Sequence, residues 1–143
     1  MKNIVIINGP NLNMLGTREP EIYGSETLTD IQKLCEKKAS VLSLNLKFHQ
    51  SNLEGELISW VQEAGKNAQG LIINPAGFGH SSVALMDALL AIKIPAIEVH
   101  ISNIYKREEF RHQTYTGRAV KGIITGFGSL GYILALEAMA SLI

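Results

Sequence analysis

Apolar positions along this chain follow two rhythms that alternate from one end to the other. Short β-branched runs at "NIVIIN" (3–8), "LNLKFHQ" (44–50), "GLIIN" (70–74), "PAIEVH" (95–100) and "AVKGIIT" (119–125) predict strands. Segments of helical spacing lie between them, at 27–43, 53–68 and 82–92, and a strongly apolar one closes the chain at 129–143. The stretch "SNIYKREEFRHQ" (102–113) is mixed. Two helix starts are marked by a side-chain acceptor followed three residues later by a carboxylate, Thr27 with Asp30 and Ser51 with Glu54.

Strands that alternate with helices need crossover connections. They predict a five-stranded parallel sheet with helices on both faces, a doubly wound α/β fold of the flavodoxin-like kind formed by residues 1–143 as one domain. In such sheets ligands bind at the carboxyl ends of the strands. Reading off those ends brings Asn8, Gly9, Pro10 and Asn11 to one edge, together with Gln50, Ser51, Asn74, His100, Ser102, Asn103 and Thr125.

Composition narrows the class. At 143 residues the chain is too short for an eight-unit strand–helix barrel of about 250 residues. Lys plus Arg balances Asp plus Glu at 13 each, so no basic surface for nucleic acid is expected. The one cysteine, Cys35, cannot form an internal disulfide, and the first residues hold an apolar run of only four. The expectation is a reduced, cytoplasmic protein with no signal peptide and no membrane span.

Candidate chemistry follows the strand ends. "NGPNLNMLG" (8–16) stands where a nucleotide fold carries its phosphate loop, but it has one early glycine, a proline and no lysine, which disfavours phosphate. Its asparagines could serve an oxyanion as donors or simply build a turn. In "EVHISN" (98–103) strand periodicity puts Glu98 and His100 on one face, with Ser102 added if the strand continues. A carboxylate beside an imidazole orients it and favours its charged form, the preparation of a general acid; a structural histidine is the alternative. "NPAGFGHSSVALMDAL" (74–89) has a glycine-rich bend, His80 and Ser81 at a helix start, and Asp87 seven residues after His80. A metal site is conceivable there, yet no zinc-type spacing occurs anywhere. "KREEFRHQ" (106–113) reads as a solvated charged face, and no nucleophile motif is present. In "GTREPEIYG" (16–24), two glycines bracket Arg18 and Tyr23, an odd pair for a connecting loop.

Taken in order, "NGPNLNMLGTREPEIYG", "QSNLEGELISW", "NPAGFGHSSVALMDAL", "EVHISN" and "REEFRH" closely resemble the type II 3-dehydroquinate dehydratases, over essentially the whole chain. The resemblance implies conversion of 3-dehydroquinate to 3-dehydroshikimate without cofactor or metal, in a trimer-based homo-oligomer, usually a dodecamer. It implies Tyr23 as base and Arg18 beside it in a lid, His100 as general acid with Glu98 as partner, and Asn11 as enolate stabiliser. Substrate contacts carry over to Asn74, His80, Ile101, Ser102 and Arg111, and Asp87 matches a position reaching a neighbouring subunit's site. One block departs: where many members have a serine-rich "S-Y-x-S-P", this chain reads "TYTGRA" (114–119).

The implied chemistry explains the opening block. Removing a weakly acidic proton beside a carbonyl suits a phenolate, whose ordinary pKa is about 10, and a guanidinium nearby favours that ionised form. Glycines at both ends of the segment would let it close over the substrate. A flavin-binding or signalling module of the same fold is the competing reading. It would be yellow as purified, or would carry paired acids after the first strand, where this chain has "NGPN".

Overall fold

The computed structural model describes residues 1–17 and 19–143; of Pro20 and Tyr23 only the backbone is described. Five parallel strands, β1 (Lys2–Asn8), β2 (Leu44–Gln50), β3 (Gly70–Asn74), β4 (Ala96–His100) and β5 (Gly122–Thr125), lie in the order β2-β1-β3-β4-β5. This is the flavodoxin-like order expected from the alternation. The order reverses at β1, so a crevice opens between the β1 and β3 ends, where Asn8 pairs in register with Asn74.

A short helix α1 (Pro20–Tyr23) follows β1, and four longer ones cover the sheet: α2 (Leu28–Val41), α3 (Glu54–Asn67), α4 (Val83–Ala91) and α5 (Leu130–Leu142). Successive β1 side chains point to opposite faces. Ile4 and Ile6 pack with Ile31 and Cys35 of α2 and with Leu136 and Met139 of α5. Val5 and Ile7 pack with Leu57 and Val61 of α3 and with Leu85 and Leu89 of α4. Both faces of the strand are therefore buried, which is why β1 and β3 read as unbroken apolar runs. Burial also pushes the Cys35 thiol up to about 12, assisted by Glu36, leaving it a core residue without thiolate character.

Local sequence reading succeeds at one helix start and fails at another. Thr27 and Asp30 form a reciprocal capping box, with Asp30 N–H donating to Thr27 Oγ1 at 3.1 Å and Thr27 N–H to Asp30 Oδ2 at 3.0 Å. Ser51 does not cap α3: its Oγ accepts from Leu53 N–H at 3.0 Å, a tight turn that delays the helix to Glu54. The last strand is shorter than the run 119–125, because Thr116–Ala119 winds into a 3-10 turn before β5 begins at Gly122. The mixed segment 102–113 contributes two 3-10 turns, Ile104–Lys106 and Glu109–Arg111.

Close approach at the crevice depends on Gly9. A Cβ there would lie 2.4 Å from the Pro75 carbonyl oxygen, and Gly9 N–H donates to Asn74 O at 2.8 Å. The glycine of the first loop thus lets the β1 and β3 loops touch, a role that has nothing to do with phosphate.

Candidate active site

The strand ends divide into braces and cleft residues. Gln50 donates to Gly9 O at 3.1 Å, and Thr125 Oγ1 donates to Ser102 O at 3.0 Å, so these two tie loops to the sheet. Asn11, Asn74, His80, His100, Ser102 and Arg111 line one cleft, with Ile101 at its wall. Asn11 sits in the left-handed region at φ 69, which asparagine tolerates better than most residues. Its N–H is held by Asn52 Oδ1 at 2.9 Å, and the buried Leu12 and Leu15 anchor the loop that carries it.

Below Asn74 runs a buried chain of hydrogen bonds whose polarity is set from both ends. Asn8 Nδ2 donates to the His49 carbonyl (3.0 Å), so Asn8 Oδ1 faces the fully buried Tyr132 hydroxyl and accepts from it at 2.7 Å. The Tyr132 oxygen then accepts from Asn74 Nδ2 at 2.9 Å, while Asn74 Oδ1 accepts from Ala76 N–H at 3.1 Å. A carbonyl can only accept and a backbone N–H can only donate, so neither carboxamide can flip without breaking a bond. Burial pushes the Tyr132 phenol well above the ordinary tyrosine range, which keeps it a neutral hydroxyl in this relay. Asn8 was legible as a strand-end residue, but Tyr132 and its bond to Asn8 escaped sequence reasoning because nothing local pairs residues 124 apart.

On β4, Glu98 and His100 do share a face: His100 Nε2 lies 2.7 Å from Glu98 Oε2, and both are buried. The strand ends at His100, so Ser102 reaches the cleft from a bend rather than by strand alternation. Glu98 also accepts from Thr114 Oγ1 at 2.8 Å and from Thr116 Oγ1. These threonines fall in the departing block 114–119, the one signal that could have drawn attention to them.

His80 is not on α4. It ends a 3-10 turn, Ala76–His80, and Ser82 caps the helix by accepting from Leu85 N–H at 2.9 Å. The two rings of His80 and His100 stack with centroids 6.0 Å apart. His80 Nδ1 lies 2.8 Å from the Gln113 carbonyl, which can only accept, so Nδ1 carries the proton and Nε2 is the acceptor of the neutral ring. Burial lowers the pKa of His80, and the nearby His100 and Arg111 reinforce this against the opposing Gln113 bond. Asp87 is exposed on α4 and is not among the residues that line this chain's cleft. His80 and Asp87, seven residues apart, therefore do not share a helix, and among the described residues no group of three His, Cys, Asp or Glu could hold a metal ion.

The segment 106–113 is only partly the solvated face that its charges suggest. Arg111 lines the cleft with Nε donating to Glu108 Oε2 at 2.6 Å, a bond that holds the Glu108 carboxyl below its ordinary range. Arg107, overlooked in the sequence, also lines the cleft, with its side chain only 11% exposed and Nη1 3.5 Å from Ser102 Oγ. Two guanidinium groups beside one small cleft favour an anionic ligand. Arg18 lies outside the described residues, as does the side chain of Tyr23; the bracketing Gly16 and Gly24 take φ of 90 and 80, which glycine adopts without strain.

Two partly buried histidines, His80 and His49, make acid stability testable. Burial lowers the pKa of His80, and burial followed by Lys47 lowers that of His49, whose ring stacks on Trp60 at 4.5 Å. A base with a lowered folded pKa binds fewer protons folded than unfolded, so stability is intact above the ordinary value of 6.5 and declines as pH falls below it. Thermal melting should therefore drop between pH 7 and 5, and His49→Gln should flatten that slope. An unchanged slope in His49→Gln would rule out the His49 contribution.

An oriented imidazole, a neutral hydrogen-bond acceptor and guanidinium groups around one crevice equip a protein for acid–base catalysis on a small anion. Fold and site together define a flavodoxin-like α/β protein with a polar, anion-favouring cleft at its strand ends. Comparison with known proteins narrows that class: the family model "Dehydroquinase class II" matches residues 2–140, and the chain belongs to this family. It is 55% identical over 141 residues to the 3-dehydroquinate dehydratase of Phenylobacterium zucineum, covering 99% of this chain and 97% of that protein. It is 53% identical over 139 residues to that of Rhizobium meliloti, covering 97% and 94%. Among solved structures, the type II dehydroquinase of Propionibacterium acnes superposes with a TM-score of 0.96 at 41% identity, covering 99% of this chain and 97% of the other. The activity that this membership carries, that of a type II 3-dehydroquinate dehydratase, is a hydro-lyase activity. Among the described residues no helix is long and apolar enough to cross a membrane.

Proposed function

We propose that residues 1–143 act as one catalytic domain that eliminates water from 3-dehydroquinate, through an enolate, to give 3-dehydroshikimate in the shikimate pathway of aromatic amino acid biosynthesis. Family membership supports the reaction, and the buried Glu98–His100 pair at the cleft floor is the observation that carries the mechanism. Tyr23, as phenolate favoured by Arg18, takes the proton from the carbon beside the ketone. The electron pair passes to the carbonyl oxygen, where Asn11 stabilises the enolate. When the pair returns, a carbon–carbon double bond forms and the β carbon–oxygen bond breaks. His100 supplies the proton that makes the leaving hydroxide water. Proton exchange with solvent then restores both groups, so substrate becomes product plus water.

Binding is shared among the remaining cleft residues. Arg111 and the Ile101–Ser102 backbone hold the substrate carboxylate, Asn74 offers an N–H, and neutral His80 accepts from a ring hydroxyl. The reaction as written uses no cofactor and no metal. Asp87, exposed and away from its own chain's cleft, serves a neighbour's cleft in a homo-oligomer built from trimers, a dodecamer in the full assembly. A fully active monomer in sedimentation velocity would overturn that assembly. The balanced charge and single buried cysteine support a cytoplasmic setting with neither nucleic acid nor membrane as partner.

The direct test adds 3-dehydroquinate to the pure protein and follows ultraviolet absorbance of the conjugated enone. Rising absorbance is expected, and a flat trace with folded protein would refute the reaction.

A further inference from the structure

We propose that Thr114 and Thr116 are positioning residues for the general acid: their hydroxyls clamp both oxygens of Glu98 and thereby fix the His100 ring with Nδ1 as its working nitrogen. The inference rests on His100 being the acid. It begins with Glu98, which is fully buried on β4, where a carboxylate is tolerated only if donors replace its lost water.

Three donors do so, and their protons can be traced. Thr114 Oγ1 accepts from Gly117 N–H at 3.1 Å and donates to Glu98 Oε2 at 2.8 Å. Thr116 Oγ1, 3.1 Å from Thr114 Oγ1, donates to the other oxygen, Oε1. With both hydroxyl protons directed at it, the carboxylate is an acceptor throughout, so the proton in its 2.7 Å contact with the ring belongs to His100 Nε2. That leaves Nδ1 to turn toward the cleft that the ring lines. In the elimination the Nδ1–H bond breaks, the proton joins the leaving oxygen, and the neutral Nε2–H tautomer remains.

The clamp is held in place by backbone. Tyr115 N–H donates to Gly79 O at 2.7 Å, seating the 114–117 segment on the bend that ends in His80. Gly79 is needed there, since a Cβ would lie 2.8 Å from Pro75 Cγ and 3.2 Å from Thr116 Oγ1. Thr116 is fully buried and lies in the block that departs from the serine-rich pattern of the resembled family. A hydroxyl at this position therefore serves Glu98 rather than solvent.

The experiment compares Thr116→Val, which keeps shape and deletes the hydroxyl, with Thr116→Ser, which keeps the hydroxyl, in the assembled enzyme. Thr116→Val should lower kcat about ten-fold with KM nearly unchanged, and Thr116→Ser should recover most of the loss. A Thr116→Val enzyme with undiminished kcat, a loss confined to KM, or a serine variant as slow as the valine variant would each overturn the proposal. Neutron diffraction of the wild type tests it without any variant: deuterium on His100 Nε2 and on both threonine hydroxyls facing Glu98 is expected, and a deuteron on Glu98 would refute it. His100→Ala separates the two readings. If it stays fast, the acid assignment fails; if it is slow while Thr116→Val is fast, the clamp alone fails.

Discussion

Replacing His100 by alanine is expected to lower kcat by about 10²- to 10⁴-fold while changing KM much less. The reason lies in when the proton matters. Hydroxide is a poor leaving group, so in the proposed reaction a proton from this ring would stabilise the breaking carbon–oxygen bond in the transition state and do little for bound substrate. The geometry supports this timing, because the ring is buried, braced by Glu98 at 2.7 Å, and open to the cleft on its other side. Steady-state kinetics on His100→Ala, with circular dichroism to verify the fold, would check it. A variant with wild-type kcat and a raised KM would move the acid elsewhere, to His80 first, although burial favours the neutral form of that ring.

Tyr23→Phe should nearly abolish turnover and leave most substrate binding in place, since it deletes only the ionisable oxygen. A carboxylate is too weak a base for a proton beside a ketone, and burial lowers the basicity of His80 in the cleft. Phenylalanine keeps the ring's volume, so isothermal titration of substrate against the variant should show affinity within a few-fold of the wild type. Arg18→Gln offers the companion measurement. Removing a positive charge disfavours the phenolate, so the rising limb of the kcat/KM profile should move to higher pH, and lysine at position 18 should restore part of the shift. A Tyr23→Phe enzyme of ordinary activity would remove the phenolate from the mechanism, and an unshifted limb in Arg18→Gln would leave the arginine to binding alone.

Much of this was legible in the chain itself, for physical reasons. A parallel sheet buried on both faces demands unbroken apolar strands, and crossovers demand helices, so the rhythm of residues 3–8, 70–74 and their intervening segments determined the architecture. Strand alternation alone put Glu98 beside His100, because two residues on one strand cannot avoid sharing a face. The blocks that resemble a known family supplied the reaction, which the comparisons then upheld.

Only the tertiary structure decided what depends on distant segments. The helix start at Ser51 was misread because a serine can satisfy a nearby turn as easily as a helix, and the energy difference lies in packing outside the window. Arg107 read as solvated since charge predicts exposure until a fold encloses the side chain's stem. Tyr132, bonded to Asn8 across 124 residues, and Thr116, bonded to Glu98 across 18, leave no periodic trace. Hydrogen-bond partners for buried polar atoms are chosen by where the backbone brings them. Strand periodicity therefore put Glu98 and His100 on one face, and the fold alone brought the two threonines to Glu98 and joined Asn8, Tyr132 and Asn74 in one relay.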